Sequence, residues 1–197
     1  MRYTSIIPLL AFAFFATSSA QEECPELPNS GVEIGEPVPI VPGDVPRGCS
    51  DYEILVGKLQ FNNRRASSQI ISGGRQGVDD IVQRLTSQSS ACPNQTFSLV
   101  GYSQGASIMH RAVDRLPNSL FPKIKSVVMF GDPNLRLGVI GDKFPNGLKA
   151  KVLQICAKGD PVCDSGSCQF YHLTYIRPEY IEGAVTFIVR AFKGMAL

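Results

Sequence analysis

The stretch Phe97-Ser98-Leu99-Val100-Gly101-Tyr102-Ser103-Gln104-Gly105 constrains the fold of this chain more than any other. An apolar run stops at Gly-Tyr-Ser-Gln-Gly and a helical pattern begins at once, the layout of a strand, a sharp turn and a helix. So tight a turn leaves no room for side chains larger than hydrogen at Gly101 and Gly105, which would meet the neighbouring strand and helix. It lifts the Ser103 hydroxyl to the top of a sheet, at the positive end of the helix that starts beside it. A free serine hydroxyl is a poor nucleophile, so it needs a base within hydrogen-bond reach and a third group to orient that base. The turn therefore demands an Asp or Glu, and then a His, further along the chain.

The chain has two histidines, His110 and His172. His110 lies on the helix leaving the turn, about two turns from Ser103, and reads as a surface or packing residue that points away from it. His172, in Gln169-Phe170-Tyr171-His172-Leu173-Thr174-Tyr175, falls in an expected loop before the last helix and is the better base by elimination and chain order. Five aspartates follow the turn: Asp114, Asp132, Asp142, Asp160 and Asp164. Asp160 is favoured because it follows the strand-like run Val152-Leu153-Gln154-Ile155 and lies between Cys156 and Cys163. A bridge between those cysteines would hold a carboxylate stiffly beside the histidine, as an orienting group requires. Asp132, in Phe130-Gly131-Asp132-Pro133, also ends a strand-like run and is the runner-up, with a turn residue as its plainer role.

The N-terminus fits an export signal: Arg2, an apolar run from Ile6 to Ala16, and small residues Thr17-Ser18-Ser19-Ala20 before a cleavage point at Gln21. That run is too short for a membrane anchor. A secreted, extracellular chain makes its cysteines intelligible as three disulfides. Cys156–Cys163 is the easiest local pair, Cys49–Cys92 would tie two strand starts together, and Cys24–Cys168 is what remains. Spacing and compartment argue against a zinc site. Asn94-Gln95-Thr96 is an N-glycosylation sequon. A net charge of +2, scattered along the chain, gives no basic stripe for nucleic acid and no charged tail.

Residues 1–20 thus form the signal and 21–48, rich in Pro, Gly and Glu, an irregular arm; one domain spans 49–197. Glu53 to Val56 reads as a short buried strand, and Leu59-Gln60-Phe61 as another or its continuation. Val78, Ile81, Val82 and Leu85 recur at helical spacing. Strands at 97–100, 124–130 and 152–155 alternate with helices, and a last helix after Pro178 places Tyr180, Ile181, Ala184, Phe187, Ile188 and Phe192 on or near one face. This alternation implies an α/β fold with a central parallel sheet covered on both faces, its functional loops at the C-terminal strand ends.

From Cys92 to Phe192 the chain resembles the cutinase family of secreted fungal serine esterases, which includes acetylxylan esterases. The resemblance is carried by Cys92-Pro93-Asn94, Gly101-Tyr102-Ser103-Gln104-Gly105-Ala106, Gly159-Asp160-Pro161-Val162-Cys163 and Tyr171-His172-Leu173-Thr174-Tyr175, with Cys49 to Val56 extending it to the family's first sheet strand. It implies a small α/β-hydrolase with three layers and an exposed site, in which Ser103 is the nucleophile, Asp160 the acid, His172 the base and the Gln104 backbone N–H one oxyanion donor. No metal or cofactor is implied; a monomer is expected, and the substrate class by resemblance is a polyester such as cutin, short acyl esters or an acylated polysaccharide. One departure stands out. In the family the first strand runs into an Ala-Arg-Gly-Thr/Ser-type loop that supplies the second oxyanion donor, followed by a helix and a strand. Here Val56 is followed by Gly57-Lys58-Leu59-Gln60-Phe61-Asn62-Asn63, so that segment is missing and no residue matches the second donor. That gap motivates a second expectation, a non-catalytic protein that binds polyester or polysaccharide.

Overall fold

The computed structural model describes residues 24–25, 52–57 and 74–197. The expected signal, nearly all of the arm, Cys49 and the run Leu59-Gln60-Phe61 lie outside the described residues. Among the described residues four strands, β1 (Tyr52–Gly57), β2 (Thr96–Tyr102), β3 (Ile124–Phe130) and β4 (Val152–Ile155), form one parallel sheet in chain order. The register pairs Val56 with Val100, Val100 with Val128, and Phe130 with Ile155, so all four strands end at the same edge.

Side chains alternate across a strand, and β3 feeds two cores accordingly. Val127 and Met129 point to one face, where they meet Phe97 and Leu99 of β2, Leu85 of α1 (Arg75–Ala91) and Ala106, Met109 and Val113 of α2 (Gln104–Val113). Val128 and Phe130 point to the other face, against Tyr175 and Ala184, the latter on α5 (Pro178–Phe192). Each large apolar side chain removed from water in these layers contributes about 1.5–3 kcal/mol. A third cluster, Val78, Ile108 and Ala112, joins α1 to α2. The result is the expected three layers, with helices on both faces of a parallel sheet.

The helical spacing of Val78, Ile81, Val82 and Leu85 is realised in α1, with Val78 and Leu85 fully buried. The last helix is where expected, but Ile181 is 40% exposed and Ala191 takes a buried position instead. Three short elements were not expected from the sequence. A 3-10 turn, Asn118–Leu120, precedes β3, a 3-10 stretch, Pro133–Ile140, broken by a kink at Gly138, leaves β3, and α3 (Asn146–Lys149) precedes β4. His172 sits on a short helix, α4 (Gln169–Leu173), rather than in a loop. The Tyr-His-Leu-Thr-Tyr run gives no helical periodicity over so few residues, and Cys168 at the N-cap is fixed instead by its bond to Cys24.

Candidate active site

Between the last residue of β2 and the first of α2 the chain turns at Ser103, with φ 55° and ψ −124°. It is the one described non-glycine residue with positive φ, a conformation that costs about 1–3 kcal/mol and persists only when its surroundings enforce it. The surroundings do so here. The Ser103 N–H donates to the Phe130 carbonyl on β3 (2.9 Å), and the Ser103 carbonyl accepts from the Ala106 N–H (2.9 Å). The requirement for glycine at 101 is steric: a Cβ there would lie 2.7 Å from the Ala106 Cα and 2.9 Å from the Met129 sulfur.

His172 Nε2 lies 2.8 Å from Ser103 Oγ. Its Nδ1 lies 2.9 Å from Asp160 Oδ2 and 3.1 Å from Oδ1. Nδ1 faces a carboxylate and so carries the proton, which leaves the Nε2 lone pair to accept from the serine hydroxyl. Asp160 is wholly buried in the loop closed by the Cys156–Cys163 disulfide, whose Cα atoms are 5.9 Å apart. Its Oδ1 accepts from the N–H of Val162 (2.6 Å), and its Oδ2 from the Tyr175 hydroxyl (2.6 Å). Burial opposes ionisation of Asp160, but the bonds from Tyr175, His172 and Val162 outweigh it and hold the carboxyl below the usual carboxylate range.

Three further contacts fix the imidazole. The Tyr102 ring stacks on it at 5.2 Å between centroids, and the Tyr102 hydroxyl donates to the His172 carbonyl (2.7 Å). Gly131, at φ 55°, presents bare backbone to the ring; a Cβ there would stand 2.9 Å from His172 Cε1. The Cys24–Cys168 disulfide anchors the start of α4, four residues before the histidine. Cys92 is disulfide-bonded as well, and its expected partner Cys49 is not among the described residues. Gln104 is the first residue of α2, so its N–H has no intrahelical acceptor and opens beside Ser103. β1 runs alongside β2 as far as Gly57, opposite Gly101. The stretch after it, where a second oxyanion donor would be sought, is outside the described residues.

The other histidine and the runner-up aspartate find each other. His110 is not a surface residue: it is 4% exposed, and its Nε2 lies 2.7 Å from Oδ2 of the fully buried Asp132. Its Nδ1 faces the Lys143 carbonyl at 3.1 Å. Both ring nitrogens face acceptors, so the pair is an imidazolium and a carboxylate. Burial works against that charge. The hydrogen bond and charge of Asp132, the Lys143 carbonyl and the charge of Asp142 outweigh it and raise the His110 pKa. Asp132 is held below its ordinary value, against burial, by His110, the Asn134 N–H and the Gln154 amide. Asp132 is therefore neither the orienting acid nor a simple turn residue. It clasps α2 to the exit of β3, the strand end that receives the Ser103 N–H. Chain order gave no hint of this pairing, because its partners lie on different elements. His110, Asp132 and Asp142 could in principle approach a cation. Their facing atoms are instead engaged with one another and with the Gln154 amide, which bridges the two carboxylates at 2.9 Å each.

Comparison with known proteins gives one consistent family of relatives. The family described as Cutinase matches residues 50–192. A cutinase of Hypocrea jecorina is 35% identical over 120 residues, covering 60% of this chain and 46% of that protein. A cutinase-like protein from Cryptococcus sp. superposes with a TM-score of 0.58 at 25% identity, covering 74% of this chain and 96% of the other. An acetylxylan esterase structure gives a TM-score of 0.52 at 27% identity, over 64% of this chain and 72% of that one. The chain spans about half the length of the curated cutinases it matches.

Proposed function

The chain belongs to the cutinase family, and from that premise we propose that it is a secreted carboxylic ester hydrolase working through an acyl-enzyme on Ser103. The observation that carries this reading is the unbroken hydrogen-bonded line from Ser103 Oγ through both nitrogens of His172 to Asp160. Ser103 attacks the ester carbonyl as its proton passes to His172 Nε2. Asp160 keeps the Nδ1–H tautomer in place and stabilises the imidazolium that forms. The Gln104 N–H, at the positive end of α2, receives the developing oxyanion. His172 then returns the proton to the leaving alcohol, and water, activated by the same imidazole, releases the acid. The two disulfides among the described residues support an oxidising compartment, in keeping with the export signal at the N-terminus.

An apolar polyester such as cutin, or a short acyl ester, is the favoured substrate class. Leu173 and Ile176, on either side of the turn after His172, are exposed, as are Leu137, Val139 and Ile140 in the 3-10 stretch beyond β3. That stretch is tied to the acid loop by Arg136, whose guanidinium donates to the Pro161 carbonyl (2.8 Å). An apolar rim of this kind suits an acyl chain better than a hydrated polysaccharide. The likeness to acetylxylan esterases makes acetylated xylan the competing substrate. Secreted protein should hydrolyse p-nitrophenyl butyrate, and Ser103→Ala should abolish that activity; undiminished turnover in the variant removes Ser103 from the role. A chain-length series of esters run beside acetylated xylan decides between the substrates.

A second reading rests on the chain between β1 and α1, where the family's second-donor loop has no counterpart. Loss of one oxyanion donor costs about 10²–10³ in turnover. On this reading the chain holds polyester or polysaccharide without cleaving it, and the folded protein shows pull-down on such a polymer with no ester hydrolysis.

A further inference from the structure

We propose that Tyr175 is a positioning residue for the acid–base pair: its hydroxyl shares Asp160 Oδ2 with His172 and sets how strongly the carboxylate draws on the imidazole. The inference rests on the esterase reading of the site and adds a residue to it. Tyr175 Oη lies 2.6 Å from Asp160 Oδ2, closer than His172 Nδ1 at 2.9 Å to the same oxygen. The direction of the phenolic proton follows from its neighbours. Oη accepts the Ala157 N–H at 2.8 Å. Its other neighbour, the Cys163 sulfur at 3.3 Å, belongs to a disulfide and is a weak acceptor. The single hydroxyl proton is thereby directed at the charged carboxylate, where a hydrogen bond is strongest.

Geometry prevents the phenol from leaving. Tyr175 is 5% exposed, and its ring makes edge contacts with Tyr102, Phe130 and His172 at centroid distances of 5.9, 5.9 and 6.3 Å, with Tyr180 tilted against it at 5.1 Å. Gly131 leaves the space in which the two rings lie side by side: a Cβ there would stand 2.9 Å from His172 Cε1 and 3.0 Å from Tyr175 Cε2. Burial and the adjacent Asp160 push the Tyr175 pKa well above its ordinary value, so the hydroxyl stays protonated and remains a donor across the working pH range. Tyr175 thus ties three pieces together. Ala157 lies at the exit of β4, Asp160 in the disulfide loop, and Tyr175 itself three residues past His172.

Removing the hydroxyl concentrates the carboxylate charge on His172 and favours the imidazolium. For Tyr175→Phe the acidic limb of the kcat/KM profile for p-nitrophenyl butyrate should therefore move up by roughly half to one pH unit, the scale of one lost bond to a charged group. The low-field proton resonance of the His172 Nδ1–H should move further downfield, because a competing donor is gone. A residue that only fills space would lower thermal stability and leave both the limb and the resonance where they were; that result overturns the proposal. Should Tyr175→Phe fail to fold, replacement of Tyr175 by 3-fluorotyrosine keeps the hydroxyl and makes it a stronger donor. The limb should then move down and the resonance upfield, and no movement overturns the proposal. The resonance is read without turnover. A wild-type protein that is folded and inactive therefore refutes the esterase reading, while the proton shift still decides the role of Tyr175.

Discussion

His110→Leu removes the cation from a pair whose carboxylate, Asp132, is fully buried and whose distance is 2.7 Å. Taking away one partner of such a pair costs about 3–5 kcal/mol, because the remaining charge is left without compensation. Here Asp132 keeps the Asn134 N–H and the Gln154 amide, and leucine still fills space against Phe144, whose ring centroid lies 4.3 Å from that of His110. The expected loss is therefore at the lower end, about 3 kcal/mol. For a domain of this size that corresponds to a fall in Tm of roughly 6–12 °C. Adding Asp132→Asn removes the orphaned charge and should restore part of the loss, giving a coupling of about 1–3 kcal/mol in the double-mutant cycle. The assay is urea unfolding followed by circular dichroism at pH 6. The sign of the pH dependence is fixed by the raised pKa of His110 in the fold. Its contribution is complete below the ordinary value of about 6.5 and is lost as pH rises through the higher folded value, so the gap between wild type and variant should narrow at alkaline pH. A loss under about 1 kcal/mol, or strictly additive single variants, would refute the imidazolium–carboxylate assignment.

Gly101→Ala should cost about 1–3 kcal/mol and depress ester turnover further than that loss explains, because the new methyl meets the Ala106 backbone and displaces the turn at Ser103; unfolding curves and kcat measured together check it. Asp160 and Asp132 both have carboxyl pKa values below the ordinary one. Their stabilisation is thus complete above about pH 4 and is lost as pH falls through the lower folded values, so Tm should drop steeply in acid, and less steeply in Asp132→Asn. Asn94 stands exposed in the turn before β2, at the opposite end of that strand from Ser103. Chain made through a eukaryotic secretory pathway should therefore lose mass on endoglycosidase treatment, and Asn94→Gln should abolish that change without affecting turnover.

Much of the site was legible because each member sits in its own short signature. Ser103 lies between Gly101 and Gly105, Asp160 between two cysteines at the end of an apolar strand, and His172 stands where chain order requires it. The sheet was legible for a similar reason, since apolar runs such as Ile124–Phe130 and Val152–Ile155 have no competing periodicity. What escaped the sequence depends on packing between distant elements. Nothing local to His110 or Asp132 announces that α2 and the exit of β3 bring them to 2.7 Å. Nor does the Tyr175 sequence context reveal a hydroxyl aimed at Asp160. The Pro133–Ile140 stretch buries none of its residues, and its alternating Leu135, Leu137 and Val139 gave no sign of a 3-10 turn. α4 is too short for helical spacing to register, and a disulfide from residue 24 sets its start.

Esterase activity in this chain requires that Ser103, held by His172 and Asp160, be a competent nucleophile. The most direct test is intact-mass analysis of the folded protein after exposure to a fluorophosphonate probe. A single stoichiometric adduct is expected on Ser103, absent from Ser103→Ala and slowed by orders of magnitude in His172→Ala. Folded wild-type protein that takes up no probe, or takes it up equally well without Ser103 or His172, would contradict it.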